Sequence, residues 1–212
     1  MKQILLIDRE FGSGGSTIAD ILSKRLNWKL LDDELSQEIA KLAKIPVEVC
    51  RKREERKDPF LHRLVHLIWR GSFDRNLPSP DMAILDTDRL VSIVKQVILK
   101  AAENRPCIIV GRGGPYFLRE RTDTFCVFLY ASRELKYRRV LKRIGDEKEA
   151  IELVDNQDED RKKFVKHYFG HDWPDRQLFH VMLNTAIGDN TTADTIIELM
   201  NKLNQREEAG KK

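Results

Sequence analysis

The chain has 212 residues, 41% of them apolar, which is enough for one compact domain carrying a lobe or lid and too few for two full independent domains. Its 38 Lys and Arg against 34 acids give a formal charge of +4 spread over a heavily charged surface; with no basic stripe interleaved with aromatics, this suits an anionic small substrate and argues against a dedicated nucleic-acid binder. No run approaches the ~18 apolar residues of a membrane helix, and the first apolar run, Ile4 to Ile7, is too short for a signal segment, so no membrane partner and a cytoplasmic protein are expected.

In chain order, Gln3 to Ile7 is a short continuous apolar run, as expected of a strand covered on both faces at the centre of a parallel sheet. A glycine-rich turn follows, and then Ile18, Ile21, Leu22 and Leu26 share one helical face, so strand, turn and helix make half of a βαβ unit. Leu30 and Leu31 read as a second short strand ending in Asp32 and Asp33. From about 36 to 86 the pattern is helical and irregular, with Arg51 to Lys57 densely charged and Pro59, Pro78 and Pro80 as breakers, which predicts a helical insertion over the sheet edge. The charge run itself reads as a solvated helix face.

Leu90, Val94, Val97, Ile98 and Ala101 mark a long amphipathic helix, ended by Asn104-Arg105-Pro106 before a strand at Cys107 to Val110. Phe125 to Tyr130 is the next strand, and Ser132 is placed to cap a helix on which Leu135, Val140, Leu141 and Ile144 share a face, with Arg138, Arg139, Lys142 and Arg143 on the other side. A charged helix over about 146 to 168, a loop at Gly170 to Pro174, a strand at Val181 to Asn184 and a final helix bearing Ile196, Ile197, Met200 and Leu203 complete the chain. The alternation predicts a doubly wound α/β sheet within a single domain spanning 1–205, an arginine-bearing region near 133–170, and a disordered charged tail over 206–212. Of the three cysteines, Cys50, Cys107 and Cys126, not all can pair, and the last two lie in apolar runs, which points to a reducing compartment.

The turn after the first strand, Asp8-Arg9-Glu10-Phe11-Gly12-Ser13-Gly14-Gly15-Ser16-Thr17, sits where a phosphate-binding loop belongs, between a buried strand and a helix start. Glycines let backbone N–H groups converge, and the helix start adds about half a positive charge. Three glycines in four positions exceed what a simple βα turn needs. A full Walker A reads Gly, four residues, Gly, Lys and Ser or Thr; here Gly14 fills the second glycine, Arg9 stands at the first, and Gly15 occupies the lysine position. Arg9 is close enough in sequence to reach the same phosphates from another side, or to be an ordinary strand-end arginine.

The heptapeptide Arg9-Glu10-Phe11-Gly12-Ser13-Gly14-Gly15 resembles the hallmark loop of the cytidylate kinase-like family, relatives of bacterial cytidylate kinases, and the resemblance extends over nearly the whole chain. Asp32 falls where those kinases carry an acid after the second strand. Gly111-Arg112 after Cys107 to Val110 resembles their strand-end Gly-Arg, and Asp158 and Arg161 resemble their Asp-x-x-Arg. The resemblance implies a three-layer P-loop-kinase-like α/β fold with a core, an acceptor-binding lobe and a lid, using ATP and magnesium. It further implies that Gly12, Ser13, Gly14, Gly15, Ser16 and Thr17 hold the donor phosphates, with Ser16 or Thr17 helping to place magnesium. Arg112 and Arg161 then bind the acceptor phosphate, while Asp32 and Asp158 serve the acceptor side. Gly113 stands where those kinases carry an Asp that helps recognise cytidine.

The residues also carry readings of their own. Arg112, just past a buried strand, fits either a phosphate grip or a structural salt bridge, and its place beyond the strand predicts that it matters to binding more than to folding. Asp158 and Arg161 are spaced i, i+3 and share a helical face, as a surface ion pair or as part of a lid. Arg138, Arg139 and Arg143 fit either a solvated helix or charge neutralisation. His167 and His171 lack the further ligands a zinc site needs, so a helix end packed by Trp173 is expected there. Asn184-Thr185 either closes a base pocket or ends the strand. Three functions follow: an ATP-dependent nucleotide kinase, a nucleotide-binding sensor without turnover, and a kinase of a non-nucleotide small molecule.

Overall fold

A computed structural model of the chain describes residues 1–43 and 87–210. The densely charged segment, Cys50 and most of the expected helical insertion lie outside the described residues. Among the described residues five strands form one all-parallel sheet: β1 (Ile4–Arg9), β2 (Lys29–Leu31), β3 (Cys107–Val110), β4 (Thr124–Tyr130) and β5 (Val181–Asn184), in the order β2-β3-β1-β4-β5. Leu5 lies beside Ile108 on one side and Phe125 on the other, so β1 is the centre, as its unbroken apolar run demands. The α-helices among the described residues are α1 (Gly15–Leu26), α2 (Asp33–Leu42), α3 (Thr87–Ala101), the single turn α4 (Gly114–Phe117), α5 (Arg133–Ile144), α6 (Glu147–Phe169) and α7 (Asp189–Ala209).

Because side chains alternate across a strand, the sheet divides its apolar residues between two layers. Leu5, Ile7, Ile108, Val110, Val127 and Leu129 meet Ile18 and Leu22 of α1 and Ala193, Ile196 and Met200 of α7. On the other face, Ile4, Leu6, Ile109 and Phe128 meet Leu35 and Ile39 of α2, Val94 and Ile98 of α3, and Phe164 and Val165 of α6. Helices on both faces of a buried parallel sheet are the expected three-layer architecture. The chain leaves β1 toward β2 and leaves β3 toward β4, so the connections part at the carboxyl ends of β1 and β3. That crevice is where such sheets take ligands.

Ser132 caps α5 as expected, its Oγ accepting the Leu135 N–H at 3.3 Å. Gly170 ends α6 at φ 72°, followed by the buried Trp173. The chain end is a correction: the segment expected to be a disordered tail from Arg206 stays helical to Ala209. Its physical reason is a contact across the chain, in which Glu207 accepts from the N-terminal ammonium at 2.8 Å and pairs with Lys2 at 3.0 Å. Cys107 and Cys126 are free and buried, and burial pushes each thiol up to about 11. Among the described residues no helix is long and apolar enough to cross a membrane.

Candidate active site

The turn that follows β1 is held open as a loop by two left-handed glycines, Gly12 at φ 77° and Gly14 at φ 89°. A Cβ on Gly12 would lie 2.9 Å from Val140 Cγ2 of α5. Gly14 is the N-cap of α1 and no side chain caps the helix start, so the first-turn N–H groups of Gly15, Ser16 and Thr17, which a helix cannot satisfy internally, face outward at the carboxyl end of the central strand. The Ser16 and Thr17 side chains are exposed beside them. This donor set is suited to phosphate oxygens, with hydroxyls at hand for a phosphate-bound magnesium ion.

The loop is braced from behind by residues the sequence reading did not assign to it. Asp158 of α6 accepts the Phe11 N–H at 2.8 Å and pairs with Lys136 Nζ of α5 at 3.0 Å; the same ammonium reaches Glu10 at 3.0 Å. Burial alone would lower the Lys136 value, but Asp158 and Glu10 hold it above the ordinary lysine range. Arg139 donates to the Ser13 carbonyl at 2.5 Å, to Thr185 Oγ1 at 2.7 Å and to Asp189 at 2.7 Å. Thr185 Oγ1 itself donates to the Ser13 carbonyl at 2.7 Å, while Asn184 caps Ala186 N–H at 3.0 Å. Arg139 and Thr185 therefore grip the loop from outside, while Asn184 ends the strand. Arg143 lies over the Phe11 ring at 5.3 Å, and Arg138 pairs on the surface with Glu134 at 3.7 Å.

Arg161 Nη1 donates to the Arg9 carbonyl and meets Asp158 at 3.3 Å, confirming their shared helical face and aiming it at the loop. Burial, and next the Arg9 charge, lower the Arg161 guanidinium to about 10, so it remains charged at neutral pH. At the end of β1 Arg161 therefore feels the Arg9 charge, which Asp158, Asp8 and Glu10 offset. Beneath them, Asp8 is buried and accepts the Trp173 Nε1–H at 2.8 Å. A buried acid closing an apolar strand was the one available sequence signal for that pair.

At the end of β3, Gly111, Arg112 and Gly113 all adopt left-handed backbone, with φ of 68°, 56° and 70°. The arc turns Arg112 back onto β2: its Nη2 donates to Asp32 Oδ1 at 2.7 Å, the Asp32 carbonyl at 3.0 Å and Ser36 Oγ at 2.7 Å. Arg112 is buried, and the structure brings it together with Asp32 as an internal ion pair, the salt-bridge alternative among its two readings. A Cβ on Gly113 would lie 3.0 Å from the Phe169 ring and 3.1 Å from that of Phe117, so the left-handed backbone and the packing both favour glycine there. His171 joins Asp175 at 2.7 Å and Arg119 at 3.2 Å; among the described residues no group of three His, Cys, Asp or Glu converges to hold a metal.

A parallel sheet with a glycine loop leading into α1 from its central strand is the fold of P-loop kinases. The chain belongs to the cytidylate kinase-like family, whose profile matches residues 4–187. It is 24% identical over 201 residues to a cytidylate kinase of Sulfurisphaera tokodaii, covering 93% of this chain and 92% of that protein. Its fold is similar to an uncharacterized protein from Eubacterium ventriosum, with a TM-score of 0.67 and 22% identity over 94% of this chain and 99% of the other. A gluconokinase from Sinorhizobium meliloti shares the fold at a TM-score of 0.57 and 14% identity, covering 97% and 95%. A shikimate kinase from Acinetobacter baumannii, solved with shikimate, does so at 0.52 and 15%, covering 95% and 94%. Family and fold support phosphoryl transfer to a nucleotide or another small molecule, with the ATP and magnesium use general to kinases.

Proposed function

We propose that this chain transfers the γ-phosphoryl group of ATP to a nucleoside monophosphate, with CMP as the acceptor. The observation that carries the reading is the uncapped helix start at the carboxyl end of β1, beside which Arg161 bonds the Arg9 carbonyl. Family membership and the curated cytidylate kinase relative support the choice of acceptor. The backbone of Gly12 to Thr17, with the Ser13 hydroxyl tied to the Glu10 carbonyl at 2.8 Å, holds the donor phosphates, and Ser16 or Thr17 helps place magnesium. Arg112 and Arg161 hold the acceptor phosphate; Asp32 fixes Arg112, and Asp158 fixes both Arg161 and the loop.

Bound as its magnesium complex, ATP supplies the phosphoryl group, which passes to an anionic acceptor oxygen as the β–γ bridging P–O bond breaks and ADP leaves. An acceptor phosphate is already ionised, so the chain's residues need only position and neutralise. The test is ADP release by purified protein with ATP and magnesium over a panel of nucleoside monophosphates, with shikimate and gluconate as non-nucleotide acceptors. CMP-dependent release is expected. Tight ATP binding with no turnover on any acceptor would instead establish a nucleotide sensor, the reading that the missing lysine favours.

A further inference from the structure

Gly15 presents a puzzle that the loop's own geometry does not solve. Gly12 and Gly14 are glycine because their backbone is left-handed, whereas Gly15 is the first residue of α1 and lies outside the left-handed region. With no demand from φ, packing accounts for the side chain missing at this position. What excludes it is Arg9: a Cβ built on Gly15 would lie 2.8 Å from Arg9 Cγ, 3.1 Å from Cβ and 3.5 Å from Cδ. These are atoms near the root of the arginine, which cannot swing aside as a chain tip could. Farther along, the Arg9 guanidinium lies against Gly111, where a Cβ would collide with Nη1. The stem therefore fills the space of the side chain missing at position 15, and the charge ends in the crevice between the carboxyl ends of β1 and β3.

We infer that Arg9 and the Walker lysine have exchanged places: the charge absent at Gly15 is delivered through the same volume from position 9, and Gly15 is glycine so that the Arg9 stem can pass. The sequence carries the same exchange. Arg9 stands where the motif has its first glycine and Gly15 where it has its lysine, so exchanging the two functions by Arg9→Gly with Gly15→Lys turns the segment into Gly, four residues, Gly, Lys, Ser. Arg161, bonded to the Arg9 carbonyl, holds the backbone from which the substitute charge departs. The lysine of an ordinary loop bridges the β- and γ-phosphates, so Arg9 is assigned the triphosphate rather than the diphosphate end of the donor.

The inference rests on the phosphate-loop reading above, and its test separates the two. One measurement is of packing alone, by thermal melting without nucleotide: Gly15→Ala should destabilise the native chain and be tolerated in an Arg9→Ala background. Equal effects in both backgrounds would overturn the passage of Arg9 over Gly15. The second is affinity for Mg·ATP and Mg·ADP, measured by calorimetry on the native chain, on Arg9→Met, which keeps the stem and removes the charge, and on the Arg9→Gly, Gly15→Lys pair. The native chain should prefer the triphosphate, Arg9→Met should lose that preference by tenfold or more, and the paired exchange should restore it. If the native chain binds and turns over ATP while Arg9→Met leaves the ATP-to-ADP ratio unchanged, the exchange is wrong and the kinase reading stands. If the native chain binds neither nucleotide, both fall.

Discussion

Arg112 carries its charge on a backbone at φ 56°, a conformation that non-glycine residues adopt at a cost of ~1–3 kcal/mol, and what holds it there is a set of three bonds to Asp32 and Ser36. Removing one partner of a buried ion pair leaves the other charge stranded, typically at a cost of about 3–5 kcal/mol. Asp32 keeps partial access to water, so Arg112→Ala should destabilise the fold by ~2–3 kcal/mol, read from urea unfolding. A change within about 0.5 kcal/mol would show that the pair is not structural. The sequence gives each of these residues a candidate role from its place at a strand end or on a helix face. It does not show that they meet, because Arg112 and Asp32 are 80 positions apart and Arg161 and Arg9 are 152 apart, and polar pairing at such range has no local pattern.

At the scale of elements, legibility follows the strength of the local signal. The strands at Cys107–Val110 and Val181–Asn184 have the limits that their apolar runs predict, and the Ser132 cap fixes the start of α5. The turn α4 and the left-handed arc before it were not legible, since an arginine between two glycines gives no sign of its φ. The end of α7 was missed for a different reason: a run of charges reads as solvated until its partner at the other terminus is known. That partner makes a prediction. Bonds from the N-terminal ammonium and then Lys2 hold the Glu207 carboxylate down from 4.5 to about 2. A carboxylate depressed by folding adds its stabilisation above its ordinary value and loses it as pH falls through the folded one. The last turns of α7 should therefore keep their amide protection at pH 4 and lose it as the pH approaches 2, with a Glu207 midpoint near 2 by NMR titration. A midpoint near 4.5, with no effect of Glu207→Gln on exchange, would mean that the chain ends do not engage in solution.

Over the whole molecule, the parallel sheet gathers the ends of β1, β2 and β3 on one edge, and with them the glycine loop, Asp32, Arg112 and the α6 residues that brace the loop. The opposite edge carries a largely apolar groove, in which Phe125, His180, Leu199 and Leu203 lie beside Lys202 and Arg206. The proposal that the turn after β1 holds a triphosphate without the lysine turns on its backbone donors. It is tested most directly by following the backbone amides of 15N-labelled protein as Mg·ATP is added. Saturable shifts should be largest at Gly14, Gly15, Ser16 and Thr17, the donors that the helix start leaves uncapped. Amides that stay unmoved in that turn at millimolar Mg·ATP, or shifts concentrated around His180 and Arg206, would contradict it.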